Sequence, residues 1–325
     1  MTNKLEDLNF VPIRTSTLSA DTLIPFNIYI KLPSKYLMYI KSGDDIELDR
    51  LKGLKKKKVR KLFIDDSDEG NYQRYLDACL DELSTNENIS TGEKAEVAID
   101  LGAGATDEMY EAPESERSYN ASKSASKSLM KLVSNNNAVL EEILNKKSEA
   151  GISEAELVRL HAVKTSSLAI RFGTYLELPA DSIENLAMAA LWHDIGYLKV
   201  NPDSQKYFCM DLKDISQLEL KDYFSHPVLG AQILQDKSYS SPEILDLIMT
   251  HEERIDGSGW PNKLQKLSKE QEVHSLCCHF DREVTCLGKK PQDVIQNVML
   301  EQIGTYDLEL LKTFSKFLKE LNFSH

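Results

Sequence analysis

The doublet His193-Asp194 closes a stretch in which Leu186, Ala189, Ala190 and His193 recur at helical spacing. Ile244, Leu247, Ile248 and His251 repeat the pattern further on. His161 sits in a helix opened by Ser153-Glu154-Ala155-Glu156, a capping-box signature, and His226 stands just before Pro227 and a helix with Gly230, Ala231 and Leu234. A lone histidine on such a face is most often an ordinary core or surface residue. Four on separate helices, one of them next to a carboxylate, constrain the chain more tightly. They imply helices that converge in a bundle, where facing side chains can build a two-metal site. Asp194 could bridge two ions. Mixed imidazole and carboxylate donors suit iron or manganese better than calcium or magnesium, with zinc left open. Of the seven histidines, His274, His279 and His325 receive no role at this point.

The 325 residues suffice for two modest domains or one large one, and 41% apolar content allows a core beside 28% charged residues. No stretch reaches the roughly 18–20 apolar residues of a membrane span. The beginning, Met1 to Asp7, is polar and acidic, unlike a signal peptide, so a cytoplasmic location is expected. Cys79, Cys209, Cys277, Cys278 and Cys286 form no Cys-x-x-Cys and read as thiols. A net charge of −13 argues against non-specific binding to nucleic acid or anionic membrane. It does not exclude an anionic substrate, because bound metals dominate the field of their own site.

Residues 1–85 read as a small α+β regulatory domain. Ile28–Leu32 and Lys61–Ile64 have strand composition, and Asp66 to Leu83 is helical. The basic run from Lys55 through Lys58 to Lys61 reads as a solvated loop and strand edge rather than a docking site for an acidic partner or nucleotide. Residues 86–118, with Gly102-Ala103-Gly104-Ala105, read as a linker, in part helical. Residues 119–325 read as all-α. Asp181-Ser182-Ile183-Glu184 looks like a second capping box, and Ser241-Pro242-Glu243 opens another helix.

Over about residues 150–295 the order of motifs resembles the HD-GYP family of bacterial signalling cyclic di-GMP phosphodiesterases, within the HD phosphohydrolase superfamily. His161 matches the family's early helix histidine, His193-Asp194-Ile195-Gly196 its HD motif, and His226-Pro227-Val228-Leu229-Gly230 its His-Pro-x-x-Gly segment. His251 through Pro261 matches His-His-Glu-Arg-x-Asp-Gly-x-Gly-Tyr-Pro. The resemblance implies a mainly α protein with a C-terminal HD-type helical bundle behind the small N-terminal domain. It implies two divalent metal ions, iron or alternatively manganese, held by His161, His193, Asp194, His226, His251 and Glu252. A hydroxide shared between the ions, with Asp194 bridging them, would attack the phosphodiester. Arg254, Lys289 and Lys290 are the candidate substrate contacts. Asp256, Gly257, Gly259, Trp260 and Pro261 shape a loop that, in the family, meets GGDEF domains.

Departures from the family pattern bear on activity. Glu252 replaces the second histidine of the third motif, Tyr197 replaces a lysine after Ile-Gly, and Trp260 replaces the name-giving tyrosine. Cys278 occupies the position of a later metal aspartate, with Asp281 a nearby alternative, and Leu157 stands where three-metal members carry a glutamate. The sequence therefore supports a divergent cyclic di-GMP phosphodiesterase. The alternatives are a catalytically weak or inactive cyclic di-GMP receptor or docking protein that keeps its metals, and an HD phosphohydrolase acting on another nucleotide.

Overall fold

A computed structural model describes residues 9–20, 22–57, 59–147, 152–237, 239–300 and 302–321. Met1 to Asp7, Lys58 and His325, all used in the sequence reading, lie outside them. The chain divides into a unit of residues 1–101 and a unit of residues 102–325.

The first unit is built on strands β1 (Phe10–Arg14), β2 (Ile28–Leu32), β3 (Lys35–Ile40) and β4 (Lys61–Asp65), in the order β1-β4-β2-β3. All neighbours are antiparallel. In β1 and β4 every second residue is buried, the period-2 pattern of a strand with one face on a core. Val11, Ile13, Ile28, Ile40, Leu62 and Ile64 supply that core, with Phe26, Ile46 and Tyr75. Helices α1 (Leu48–Lys56) and α2 (Glu69–Thr85) complete the α+β arrangement. β1 and β3 were not expected from the sequence. Pro12 within β1, and the exposed and half-exposed residues at five of the six positions of β3, blur their strand signals. Lys56, Lys57 and Arg60 of the basic run are exposed.

The segment with linker composition is largely helical: α3 (Thr91–Glu111) and α4 (Glu116–Val133) cover most of residues 86–118. The division between the units falls within α3. Beyond it, Ala105, Thr106 and Met109 are buried, so small residues here serve packing rather than chain flexibility.

The second unit continues with α5 (Asn137–Asn145), α6 (Glu154–Tyr175), α7 (Ala180–Trp192), α8 (Gln217–Tyr223), α9 (His226–Leu234), α10 (Pro242–Thr250), α11 (Lys269–Asp281), α12 (Pro291–Leu300) and α13 (Leu308–Glu320). No strand occurs among its described residues. Helix α6 begins at the expected capping box, with Ser153 and Glu156 bonding reciprocally. Such a cap stabilises a helix by about 1 kcal/mol. The second box does not form: α7 starts at Ala180, two residues earlier than that box would start it, with Pro179 at the cap and Asp181 inside the first turn. There Asp181 still complements the positive end of the helix dipole. Helix α6 packs on α4, α5, α7, α11 and α13, and is buried on nearly every face from His161 to Ile170. A helix enclosed all round is the axis of its bundle. None of the described helices is long and apolar enough to cross a membrane.

Candidate metal centre

The helices α6, α7, α9 and α10 each deliver one imidazole to a common point. His161 projects from the middle of α6, and His193 and His251 directly follow the last residues of α7 and α10. His226 is the first residue of α9. Its approach to the doublet depends on Gly196, in the 3-10 turn Ile195–Leu198. A Cβ on Gly196 would lie 2.0 Å from the His226 carbonyl oxygen and 2.8 Å from the Gly230 nitrogen. The Gly196 and Gly230 backbones touch, which seats His226 against Asp194.

All five side chains are buried. Asp194 Oδ2 lies 3.2 Å from His193 Nε2, while Oδ1 lies 3.3 Å from His226 Nε2 and 3.7 Å from His251 Nε2. One ligand atom from each of His161, His193 and Asp194 falls within a 4.8 Å sphere of mutual separation, and so does one from each of Asp194, His226 and His251. The two carboxylate oxygens thus face two different histidine pairs.

The imidazoles are held in one tautomer by their outer nitrogens. His193, His226 and His251 donate Nδ1–H to the carbonyls of Ala190, Tyr223 and Ile248, each three residues back, at 2.8, 2.7 and 2.7 Å. His161 donates Nδ1–H to Asp281 Oδ2 at 2.7 Å. Thr285 Oγ1 in turn donates to Asp281 Oδ1, and the buried Lys164 donates to Thr285. In the neutral imidazoles every Nε2 therefore presents a lone pair inward. His161 and His193 meet Nε2 to Nε2 at 3.1 Å, and His226 and His251 at 2.8 Å. Two lone pairs at that distance repel unless a cation lies between them. The donor set fits a divalent transition metal on each pair.

Charge in this floor is tuned by burial and proximity. Burial alone would raise the Asp194 carboxyl; His193 and His226 outweigh it and hold the group well below the usual carboxylate range. Burial lowers His193, but Asp194 more than offsets it and leaves the imidazole above its ordinary value. Burial, together with His226 and His193, pushes His251 well down.

The other sequence candidates are placed differently. Glu252 is not gathered into either cluster; its Oε1 accepts from the Tyr223 hydroxyl at 2.8 Å, and its Oε2 lies 3.9 Å from the Arg254 guanidinium. Burial would raise its carboxyl, but Arg254, His226, Arg282 and the Tyr223 bond bring it below normal. Asp281 buttresses His161 from behind rather than facing the Asp194 cluster. Cys278 is buried at the cavity wall but joins neither cluster, and burial and Asp194 push its thiol well up. Arg254 lines the cavity but donates to the Glu253 carbonyl, Ser275 Oγ and His279 Nδ1. Lys289 is engaged by Asp211 at 3.0 Å and Glu283 at 2.5 Å, and Lys290 is exposed and off the cavity. Tyr197 does not line it either. In the loop, Asp256 accepts from Ser258, Gly257 takes a φ of 77°, and Gly259 packs against the Glu253–Arg254 backbone. Trp260 is stacked on Phe224, with centroids 5.0 Å apart at 12°, and is followed by a cis bond to Pro261.

Two residues escaped the sequence reading. His274, on α11, is fully buried and donates Nδ1–H to the Leu247 carbonyl, as three of the four others donate to a carbonyl; its Nε2 has no partner among the described residues. Its ring centre lies 6.0 Å from that of His193 and 6.3 Å from that of His251. Its place one turn before Cys278, on the buried face of α11, is the signal that marks it. Arg282, a buried cation at the end of the same helix, also lines the cavity. The cavity measures ≈ 400 Å³ and opens onto His161, His193, Asp194 and His251.

Comparison with known proteins agrees with this arrangement. Residues 138–268 match the family described as "HD domain". The chain is 28% identical over 166 residues to "Cyclic di-GMP phosphodiesterase PA4108" of Pseudomonas aeruginosa. That match takes in 50% of this chain and 39% of the relative, so the chain corresponds to well under half of that protein's length. Among solved structures, "Bd1817, a HDG"Y"P protein from Bdellovibrio bacteriovorus" superposes with a TM-score of 0.68 at 27% identity, covering 96% of this chain and 100% of that one.

Proposed function

From its place in the HD-GYP family, we propose that this chain is a metal-dependent phosphodiesterase acting on cyclic di-GMP. The observation that carries the reading is the two-sided environment of Asp194, with one oxygen toward His193 and the other toward His226 and His251. His161 and His193 would hold one ion, His226 and His251 the other, and Asp194 would bridge them. Iron is the first choice of metal and manganese the second, on the chemistry of the donors. When bound, such ions supply Lewis acidity and a water acidic enough to act near neutral pH.

The residues of the chain then have separable tasks. The i−3 carbonyls and Asp281 fix the tautomer of each neutral imidazole, so that Nε2 is the nitrogen offered to a metal. Asp194 stays ionised because His193 and His226 outweigh its burial. Buried walls of the cavity restrict water around the phosphodiester, which strengthens electrostatic contacts to it. The loop from Asp256 to Pro261 borders the mouth and offers a surface to a GGDEF-domain partner.

The test is anaerobic purification, loading with Fe(II) or Mn(II), and an assay for linear dinucleotide or GMP. Turnover is expected with at least one metal. Protein that neither binds nor cleaves cyclic di-GMP, but cleaves a different nucleotide, would replace this reading with a general nucleotide phosphohydrolase.

A second reading has its own observation. Glu252 is turned to Tyr223 and Arg254, so no residue of the third motif beyond His251 joins the clusters. A receptor that binds cyclic di-GMP tightly and cleaves it slowly fits that arrangement, and the same assay distinguishes it by binding without turnover.

A further inference from the structure

Arg282 plays no part in the metal clusters, yet it sits 8% exposed on the wall of the same cavity. Its donors are only partly used. The NH2 nitrogen donates to the carbonyls of Tyr207 at 3.0 Å and Met210 at 2.7 Å. Among the described residues the NH1 nitrogen has only Glu283 Oε1, at 3.9 Å, beyond hydrogen-bond reach. The Nε–H is buried with no partner among the described residues. A guanidinium carries five N–H donors in one plane, and unsatisfied donors on a buried cation are a standing cost to the fold. An anionic acceptor at NH1 would remove part of that cost.

The surroundings narrow the kind of acceptor. Arg282 lies 5.4 Å over the Tyr223 ring, whose carbonyl holds His226 and whose hydroxyl holds Glu252, so it stands beside the candidate metal ligands. It is also the first residue of a π-helical turn, Arg282–Cys286, where α11 departs from regular winding. Such turns recur at functional sites. The other cations on the cavity wall are occupied: Lys289 by Asp211 and Glu283, Arg254 by Glu253, Ser275 and His279, and Lys213 by Asp211 at 3.2 Å with its side chain 76% exposed. Tyr197 supplies no charge.

We propose that Arg282 is the phosphate-binding cation of this site, its NH1 group donating to a non-bridging oxygen of the substrate phosphodiester. The two carbonyls that hold NH2 fix the plane of the guanidinium, and with it the direction of the NH1 donors. This assignment rests on the phosphodiester reading of the cavity.

The experiment compares the full-length wild type with Arg282→Gln and Arg282→Lys. Each is stripped of metal and titrated calorimetrically with cyclic di-GMP, at low and at raised salt. Arg282→Gln is expected to bind roughly 10- to 100-fold more weakly, as for loss of a charge-assisted bond, and Arg282→Lys to fall between. The salt dependence should shrink in Arg282→Gln, which loss of packing alone would not produce. Equal affinities and equal salt dependence in wild type and Arg282→Gln overturn the assignment while leaving the phosphodiesterase reading intact. If wild type neither binds cyclic di-GMP metal-free nor cleaves it when loaded with Fe(II) or Mn(II), that reading fails. Hydrolysis of bis(4-nitrophenyl) phosphate by metal-loaded protein then decides on Arg282: a raised KM in Arg282→Gln supports it and an unchanged KM overturns it. Should Arg282→Gln not fold, Arg282→Lys carries the same comparison: weaker binding supports the assignment, and wild-type affinity overturns it.

Discussion

The imidazoles at the floor of the cavity and the charged groups at its mouth differ in what holds them. At the floor, three of the four histidines are fixed by a carbonyl three residues back and the fourth by Asp281, and all four Nε2 atoms converge. At the mouth, Glu252, Arg254, Asp211, Glu283 and Lys289 hold one another. The floor is oriented by the backbone of helices that the core already fixes. The mouth is oriented by side chains that can exchange partners. A floor of this kind is ready to take metal without rearrangement. At such a mouth Arg254 and Lys289 must break ion pairs to reach an anion, and there Glu252 departs from the HD-GYP pattern.

Breaking the floor should have the largest effect. Asp194→Asn is expected to lower cyclic di-GMP hydrolysis by about 10³-fold or more, since the charge that both histidine pairs share is removed. Hydrolysis within tenfold of wild type would show that the floor does not carry the chemistry.

Asp281→Asn, one layer behind His161, should weaken metal binding by roughly 10- to 100-fold with little change of fold. Competition against a fluorescent chelator reads this, and an unchanged affinity would make Asp281 a packing residue only.

At the mouth, Glu252→Gln should leave the metal content as it is, because the carboxylate faces Tyr223 and Arg254. Loss of an ion in Glu252→Gln would place Glu252 among the ligands and erase the difference between floor and mouth. Glu252→His, which restores the family's histidine pair, should raise turnover if the mouth is what limits it.

The smallest expected effect is one of pH. Burial and Arg254 push His279 down to about 3 in the folded chain, below its ordinary value near 6.5. The unfolded chain therefore takes up this proton first as pH falls. The stability His279 contributes is complete above about pH 6.5 and is lost as pH drops toward the folded value. Melting temperatures should decline through that window, and His279→Asn should flatten the decline. A slope unaltered by the substitution would assign it to other groups.

Helical periodicity located the histidines, because burial on one face leaves a spacing that any reader can count. It did not locate β1 or β3, where Pro12 and the exposed residues of β3 obscure alternation. Residues 91–111, expected to be in part helical, form one continuous helix, since small residues serve a close-packed helix as well as a flexible chain. Within the site, the residues that form the two clusters were all identifiable from spacing and motif. What the spacing could not convey was direction. Glu252 follows a cluster histidine in sequence but turns to Tyr223, Asp281 faces the back of His161, and Lys289 is drawn off by Asp211 and Glu283. His274 and Arg282 were missed because each lies within a helix whose other residues read as core.

Metal content of the anaerobically purified chain, counted by mass spectrometry against protein concentration, tests the two-pair floor most directly. Two ions per chain in the wild type, with both lost or weakened in Asp194→Ala, are the predicted result. A single ion in the wild type, or two ions retained at full affinity in Asp194→Ala, would contradict a centre in which Asp194 joins the pair His161–His193 to the pair His226–His251.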